Sequence, residues 1–186
     1  MTLKHLFFIL GSTGFASMGY AIEEPAYEIA QQIDNVELRD YVPSIQARTT
    51  MASDDSSSSS FRRLANYIFG GNAQEQSIAM TAPVETHMTD NGYMAFTLPS
   101  QYAMAQLPSP NDQSVSLHAV PARRIAVIAF GGWATDGRVE EKSRELLSVL
   151  EANGIEAVGE PFLNQYNPPW TLPWNRRNEV AVPVGL

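Results

Sequence analysis

The chain has 186 residues, 44% hydrophobic and 17% charged, with a formal charge of −8 and no cysteine. That size and composition suit one globular domain with its own apolar core. The negative balance argues against a nucleic-acid partner, whose phosphates need a net basic surface, and the missing cysteines exclude disulfides, thiolate zinc sites, thiol nucleophiles and covalent haem attachment.

The first residues have the order of a secretory signal. Lys4 and His5 give a positive start, and Leu6 to Phe15 is an apolar run softened by Gly11, Ser12, Thr13 and Gly14. Gly19 and Ala21 are the small residues of a cleavage site. The run is too short to span a bilayer, which takes about 20 residues, so stable membrane insertion is not expected. Residues 1–21 read as an export signal directing the chain to the periplasm, and residues 26–186 as the mature domain. A retained amphipathic anchor is the competing reading.

Ala26 to Gln32 and Val36 to Tyr41 read as strands around the turn pair Asp34-Asn35, and alternation resumes from Ser44 to Met51 after Pro43. Ser53 to Ser60 is a polar low-complexity loop that offers Ser59 or Ser60 as a helix cap. Phe61, Leu64, Ala65 and Ile68 form one apolar stripe, which predicts a helix over 61–69 closed by Gly70-Gly71. Ile78 to Met88 and Tyr93 to Leu98 pair through Asn91-Gly92, a two-residue turn that sets His87 opposite Phe96. Pro83 belongs at an edge or bulge of the first of these strands.

Residues 101–112 carry Pro108 and Pro110 and link two halves. Val115 to Val120 and Arg124 to Trp133 read as strands. Gly137 to Asn153 reads as a longer helix, with Leu146, Leu147, Val149 and Leu150 on its buried side and Gly154 at its end. Short strands are expected at Ile155–Val158 and Phe162–Tyr166, and a last one at Glu179–Val184. Each half therefore delivers strands, a helix and strands again, an internal duplication. The class is α+β, a curved antiparallel sheet or open barrel with helices outside. Before the last strand lie Trp170 and Trp174, each with roughly 200 Å² of mostly apolar surface. Prolines stiffen that segment, which is expected to be an ordered connector that buries part of it.

No catalytic set and no metal set is assigned. Gly-x-Ser-x-Gly is absent, and Gly70-Gly71 and Gly131-Gly132 lack a phosphate-loop spacing. His87 and His118 have no metal-ligand spacing, and alternation points His118 to solvent. Glu179 falls on the side of Ala181. In a pocket it would meet a ligand cation or act as a base; its competing fate is an ion pair with Arg176 or Arg177.

Tyr166-Asn-Pro-Pro-Trp-Thr-Leu-Pro, with Arg176-Arg177-Asn178-Glu179-Val180, resembles the C-terminal signature of the SOUL haem-binding proteins. Ile78-Ala-Met80-Thr81-Ala82-Pro83-Val84, after Tyr67-Ile-Phe-Gly-Gly-Asn72, is similar to the family's other signature. Glu37-Leu38-Arg39-Asp40-Tyr41 is similar to its opening motif. The resemblance covers about Ala26 to Val184 and implies a distorted eight-stranded antiparallel barrel, built from a duplicated unit and flanked by two α-helices. It implies haem or another porphyrin as the ligand, in an apolar cleft beside the first helix. Arg62 and Arg63 are then the cations for the propionates. Leu64, Tyr67, Met80 and Trp170, with Met51, flank the macrocycle.

Two departures stand out. Asn66 occupies a position that is Lys in many animal members, and the axial His of one branch has no clear counterpart. His87, a Met or no protein ligand all stay open for the iron. The resemblance together with the signal-like N-terminus implies an exported haem or tetrapyrrole carrier, buffer or scavenger, and binding without a strong axial bond predicts modest, porphyrin-promiscuous affinity. The alternative is an enzyme or binder acting on another small hydrophobic or cationic molecule, with Glu179 in its pocket.

Overall fold

The structure is a computed structural model and describes residues 22–51, 57–89 and 92–185. Residues 1–21, read from sequence as an export signal, residues 53–56 of the serine loop, and Asn91 of the Asn91-Gly92 turn lie outside the described residues. Those described form, in chain order, β1 (Tyr27–Ile33), β2 (Val36–Tyr41), β3 (Ser44–Thr50), α1 (Ser57–Ile68), β4 (Val84–His87), β5 (Tyr93–Thr97) and β6 (Val115–Val120). Then come β7 (Arg123–Phe130), α2 (Asp136–Ala152), β8 (Phe162–Gln165) and β9 (Asn178–Pro183). The Asp34-Asn35 turn joins β1 to β2 as its composition demands, with Asp34 at φ 50°, a conformation Asp tolerates.

All nine strands join one curled antiparallel sheet in the order β1-β2-β7-β9-β8-β4-β5-β3-β6. Without β1 the order is symmetric about the β8–β4 contact. β2 corresponds to β6, β3 to β7, β4 to β8 and β5 to β9. This is the duplicated β-β-α-β-β unit, each copy lending its first strand to the far side of the other. The eight expected strands are these, and β1 is a ninth, added at the edge through its short turn to β2.

Cross-strand partners share a face. Val180 pairs with Leu163, Leu163 with Thr86, and Thr86 with Met94. One face therefore runs through both halves, and both helices cover it. α2 seals one half with Val139, Leu146 and Leu150 against Val36, Leu38, Ile128, Val180 and Val182. α1 seals the other with Leu64, Tyr67 and Ile68 against Ala47, Met94, Phe96 and Leu98. The opposite face carries Arg39, Tyr41, Gln46, Glu85, His87, Phe162 and Glu179.

Several expectations change. α1 begins at Ser57, so Ser59 and Ser60 lie inside the helix instead of capping it, and Ser60 is buried. Gly70 ends it at φ +107°, a conformation open to glycine. Leu147 is 37% exposed, because the stripe of α2 runs through Val139, Leu146 and Leu150 and Leu147 falls on its flank. Residues 78–83 precede β4 without joining it; Thr81 instead bridges to Glu23, and Pro83 follows a cis peptide. Ala157 makes only an isolated bridge to Val184 where a strand was expected.

The β4–β5 register also differs. His87 pairs with Tyr93 and Val84 with Phe96, with residues 88–92 as the connection. A longer turn shifts the pairing by an odd number of residues, which puts His87 and Phe96 on opposite faces.

The aromatic connector before β9 is ordered, but not by burying its rings. Trp170 is 82% and Trp174 76% exposed. The segment is held by its own polar groups: Thr171 N–H donates to the Pro168 carbonyl and Asn175 N–H to the Leu172 carbonyl. Arg176 Nε donates to the Thr171 carbonyl, and Arg177 N–H to Asn167 Oδ1 at 2.6 Å. Backbone self-satisfaction replaces the burial that the ring area suggested.

Candidate functional site

Three regions carry the chemistry: the flank of α1, a cleft at one end of the sheet, and the buried sheet face away from the helices. On α1 the apolar stripe fixes which residues are core. Leu64 and Tyr67 are both buried, and Tyr67 Oη donates to the Pro108 carbonyl at 3.1 Å. Burial pushes its hydroxyl pKa up. Arg62 projects outward, its Nε reaching the Ser58 carbonyl at 3.4 Å. Half-buried Arg63 ties the helix to the end of β3, donating to Thr49 Oγ1 at 2.9 Å and to the Thr50 carbonyl at 2.8 Å. Between them opens a shallow depression of about 340 Å³, lined by Ser59, Arg62, Arg63, Asn66 and Asp112. It is polar and open, unlike the apolar cleft expected there.

The large apolar space lies elsewhere. A cleft of about 750 Å³ opens between the strap Glu23–Ala26, the β2–β3 turn, the end of β5 and the β6–β7 turn. Val42, Ile45, Leu98, Tyr102 and Val120 are among its lining residues, and no residue of α1 is. Ala82 N–H donates to the Glu23 carbonyl at 2.9 Å, and Ser100 N–H to Glu23 Oε1 at 2.8 Å. Arg177 pairs with Glu24 at 3.0 Å. These bonds hold the strap over the sheet end. Glu23 and Glu24 are the charged residues of the lining; it contains no Lys, Arg or His.

Alternation along β2 and β9 puts Arg39 and Glu179 on the face away from the helices, where they meet across β7, both buried. Arg39 Nη1 lies 3.1 Å from both Glu179 oxygens, Arg177 Nη2 2.9 Å from Oε1, and Tyr166 Oη donates to Oε2 at 2.6 Å. Burial pushes the Glu179 pKa up, but Arg39, Tyr166 and Arg177 outweigh it and hold the carboxyl below its usual range. Burial beside that charge drives the Tyr166 hydroxyl far up. Glu179 is therefore a fully paired anion at neutral pH. Its pair with Arg177 was one fate read from the sequence; Arg39 is the partner that reading missed. The signal was there, because Arg39 falls in phase with Glu37 and Tyr41 and out of phase with Leu38.

His87 lies on the same face, stacked between Tyr93 (ring centroids 4.1 Å) and Phe162 (4.6 Å). Its Nε2 lies 2.8 Å from Glu85 Oε1. Glu85 also accepts from Gln46 and Arg123, both at 3.1 Å. Burial raises the Glu85 pKa, yet His87 and Arg123 overcome it and keep the carboxyl below its ordinary value. His118 is exposed, as its strand phase required, with Ser116 Oγ at 2.9 Å from Nε2.

The structure thus separates the residues that the family resemblance grouped. Arg62 and Arg63 stay together on the α1 flank, while Leu64 and Tyr67 sit in the core beneath it. Met80 is half-buried against that core, and Trp170 stands in solvent on the connector. Among the described residues no cluster of three or more His, Asp and Glu forms a metal site. No described helix is long and apolar enough to cross a membrane.

Comparison with known proteins places this arrangement. The sequence profile of the family described as "SOUL heme-binding protein" matches residues 22–183. Heme-binding protein 2 of Mus musculus is 26% identical over 177 residues, spanning 86% of this chain and 85% of the mouse protein. Heme-binding protein 2 of Homo sapiens is 26% identical over 176 residues with the same coverage. In solved structures, the C-terminal domain of EcmrR superposes with a TM-score of 0.59 at 16% identity, over 86% of this chain and 98% of that one. A structure described as a hydrolase from Listeria innocua gives 0.56 at 10% identity, over 84% and 94%. At those identities the structural likeness concerns the fold alone.

Proposed function

The chain belongs to the SOUL heme-binding protein family, and on that premise we propose that it binds haem or a related tetrapyrrole and serves as an exported carrier, buffer or scavenger. The family match across residues 22–183 carries the reading. Charge then selects the site. A haem brings two propionates, which need cations once they leave water. In a chain of net charge −8, Arg62 and Arg63 put two guanidinium groups on one helix flank, with Asp112 as the single acid of that depression. The apolar cleft has only acids. We therefore assign the propionates to α1, with Phe61, 38% exposed, the apolar surface next to them in the chain.

Haem supplies a redox-active iron when bound, and this chain offers it little axial help. His87 Nε2 is engaged with Glu85 and both ring faces are covered, so ligation would cost a hydrogen bond and two stacking contacts. A shallow site without a strong axial bond binds modestly and tolerates metal-free porphyrin nearly as well as haem. Titration with hemin and with protoporphyrin IX, followed by Soret absorbance and tryptophan fluorescence, tests this. Saturation by both at micromolar concentration is expected. No Soret change and no quenching in that range refutes it.

Export to the periplasm is supported by the charged, apolar and small-residue order of residues 1–21. Cell fractionation with N-terminal sequencing of the mature chain tests it. The alternative, an enzyme using Glu179, needed that carboxylate in a pocket with a raised pKa. Its burial among Arg39, Arg177 and Tyr166, with a lowered pKa, removes that support.

A further inference from the structure

The cleft beneath the Glu23–Ala26 strap is larger than the α1 depression, is lined by apolar side chains that the depression lacks, and plays no part in the haem reading. We propose that it is a second binding site, for an uncharged lipophilic molecule bearing a hydroxyl or carbonyl group. Its volume of about 750 Å³ lies within the range of small-molecule sites, roughly 300–1,000 Å³. Val42, Ile45, Leu98, Ala119, Val120 and Pro121 supply the apolar walls.

Polarity inside the cleft is neutral. Ser44, Thr97 and Ser100 line it with hydroxyls, while Thr81 Oγ1 donates to the Thr97 carbonyl and Tyr102 Oη accepts from Gln76; a few neutral polar groups suit a single polar end on an apolar body. The charges are confined to the strap and already engaged, Glu23 with Ser100 N–H and Glu24 with Arg177. A ligand carboxylate would meet two acids and no cation, so anions are disfavoured. A ligand cation would have to compete with Arg177 for Glu24. An uncharged ligand meets neither cost.

The site is also built. Four separate contacts pin the strap: Glu23 O with Ala82 N–H, Glu23 Oε1 with Ser100 N–H, Ala26 O with Val42 N–H at 3.3 Å, and Glu24 with Arg177. They come from the residue before Pro83, the end of β5, the β2–β3 turn and the segment before β9. The cavity is therefore framed by elements of both halves.

The test uses Nile red, an uncharged solvatochromic probe, with dodecanol and dodecanoate as displacers that share a tail and differ in charge. Saturable Nile red binding with a blue shift is expected, with dodecanol displacing it about tenfold more effectively than dodecanoate. Ala119→Trp and, independently, Val42→Trp should each weaken Nile red about tenfold or more by filling the space. Both positions are solvent-exposed on the lining, so these variants should keep the fold. Glu23→Gln should narrow the dodecanol–dodecanoate gap to about threefold, since one exposed charge is removed.

Equal displacement by both compounds, or Nile red binding indifferent to both Trp variants, overturns the proposal. So does loss of porphyrin binding in Ala119→Trp, which would place the tetrapyrrole in this cleft. Nile red binding in a protein that ignores porphyrin supports the second site and refutes the haem reading alone.

Discussion

α1 and α2 occupy equivalent places on one face of the sheet, yet the two halves they cover are finished differently. Beneath α2, Val139, Leu146 and Leu150 close on residues of β2, β7, β8 and β9, and the reverse face is locked by the Arg39–Glu179–Tyr166–Arg177 cluster. Beneath α1 the core is closed as well, but the ends of β3, β5 and β6 stop short of filling their space. A strap outside the repeat covers it. α1 also carries two arginines on its flank, Arg62 turned outward and Arg63 tied to the end of β3. The repeated unit is thus a scaffold, and the difference resides in what its turns and flanks add. Loops vary at small structural cost while the packed faces do not.

The largest expected effect breaks the locked half. Arg39→Met leaves Glu179 buried with one half-exposed guanidinium partner and should cost about 3–5 kcal/mol in urea denaturation. Arg39→Met combined with Glu179→Leu should recover much of that loss, because no lone charge remains buried. Leu146→Ala follows, at about 2–5 kcal/mol for a fully buried leucine. If the halves divide their labour as described, porphyrin and Nile red affinities of its folded form stay as in the parent protein.

Acid provides a third test, one that reaches both halves. Glu179 and Glu85 both have folded-state pKa values below the ordinary one. Their stabilisation is therefore complete above the unfolded glutamate value, about 4.3, and is lost as pH falls through the lower folded values. Melting temperature should be flat near neutrality and drop below about pH 4. Glu179→Gln should melt lower at pH 7 and show a shallower acid slope.

Smaller effects sharpen the α1 side. Arg62→Glu should weaken porphyrin about three- to tenfold, more at low salt, while stability changes by less than about 0.5 kcal/mol. Trp170→Ala should change stability by no more than about 0.5 kcal/mol, since the ring stands in solvent. A large loss there would restore the buried clamp that ring area alone suggested.

Local pattern was enough for much of this molecule. Period-two alternation marked β2, β3, β6 and β9, and the Phe61–Ile68 stripe and the Leu146–Leu150 run marked both helices. The order of elements revealed the duplication, and the Tyr166–Val180 and Ile78–Val84 motifs the family. Such features are written within a few turns of chain, where sequence spacing equals spatial spacing.

Other features depended on contacts between distant segments. Arg39 meets Glu179 across 140 positions, and they reach each other over the intervening strand β7 on one face of the curled sheet. The face of His87 depended on the length of one turn, because a shift by an odd number of residues reverses every side chain of a strand. The Trp rings stand in solvent, and hydrogen bonds within their segment order it without their burial. The cleft is assembled from a strap and several turn ends, none of which carries a pattern of its own. Sequence by itself determined the scaffold and its family. Tertiary structure decided which charges are buried together and where the empty space lies, because both depend on register and closure between remote segments.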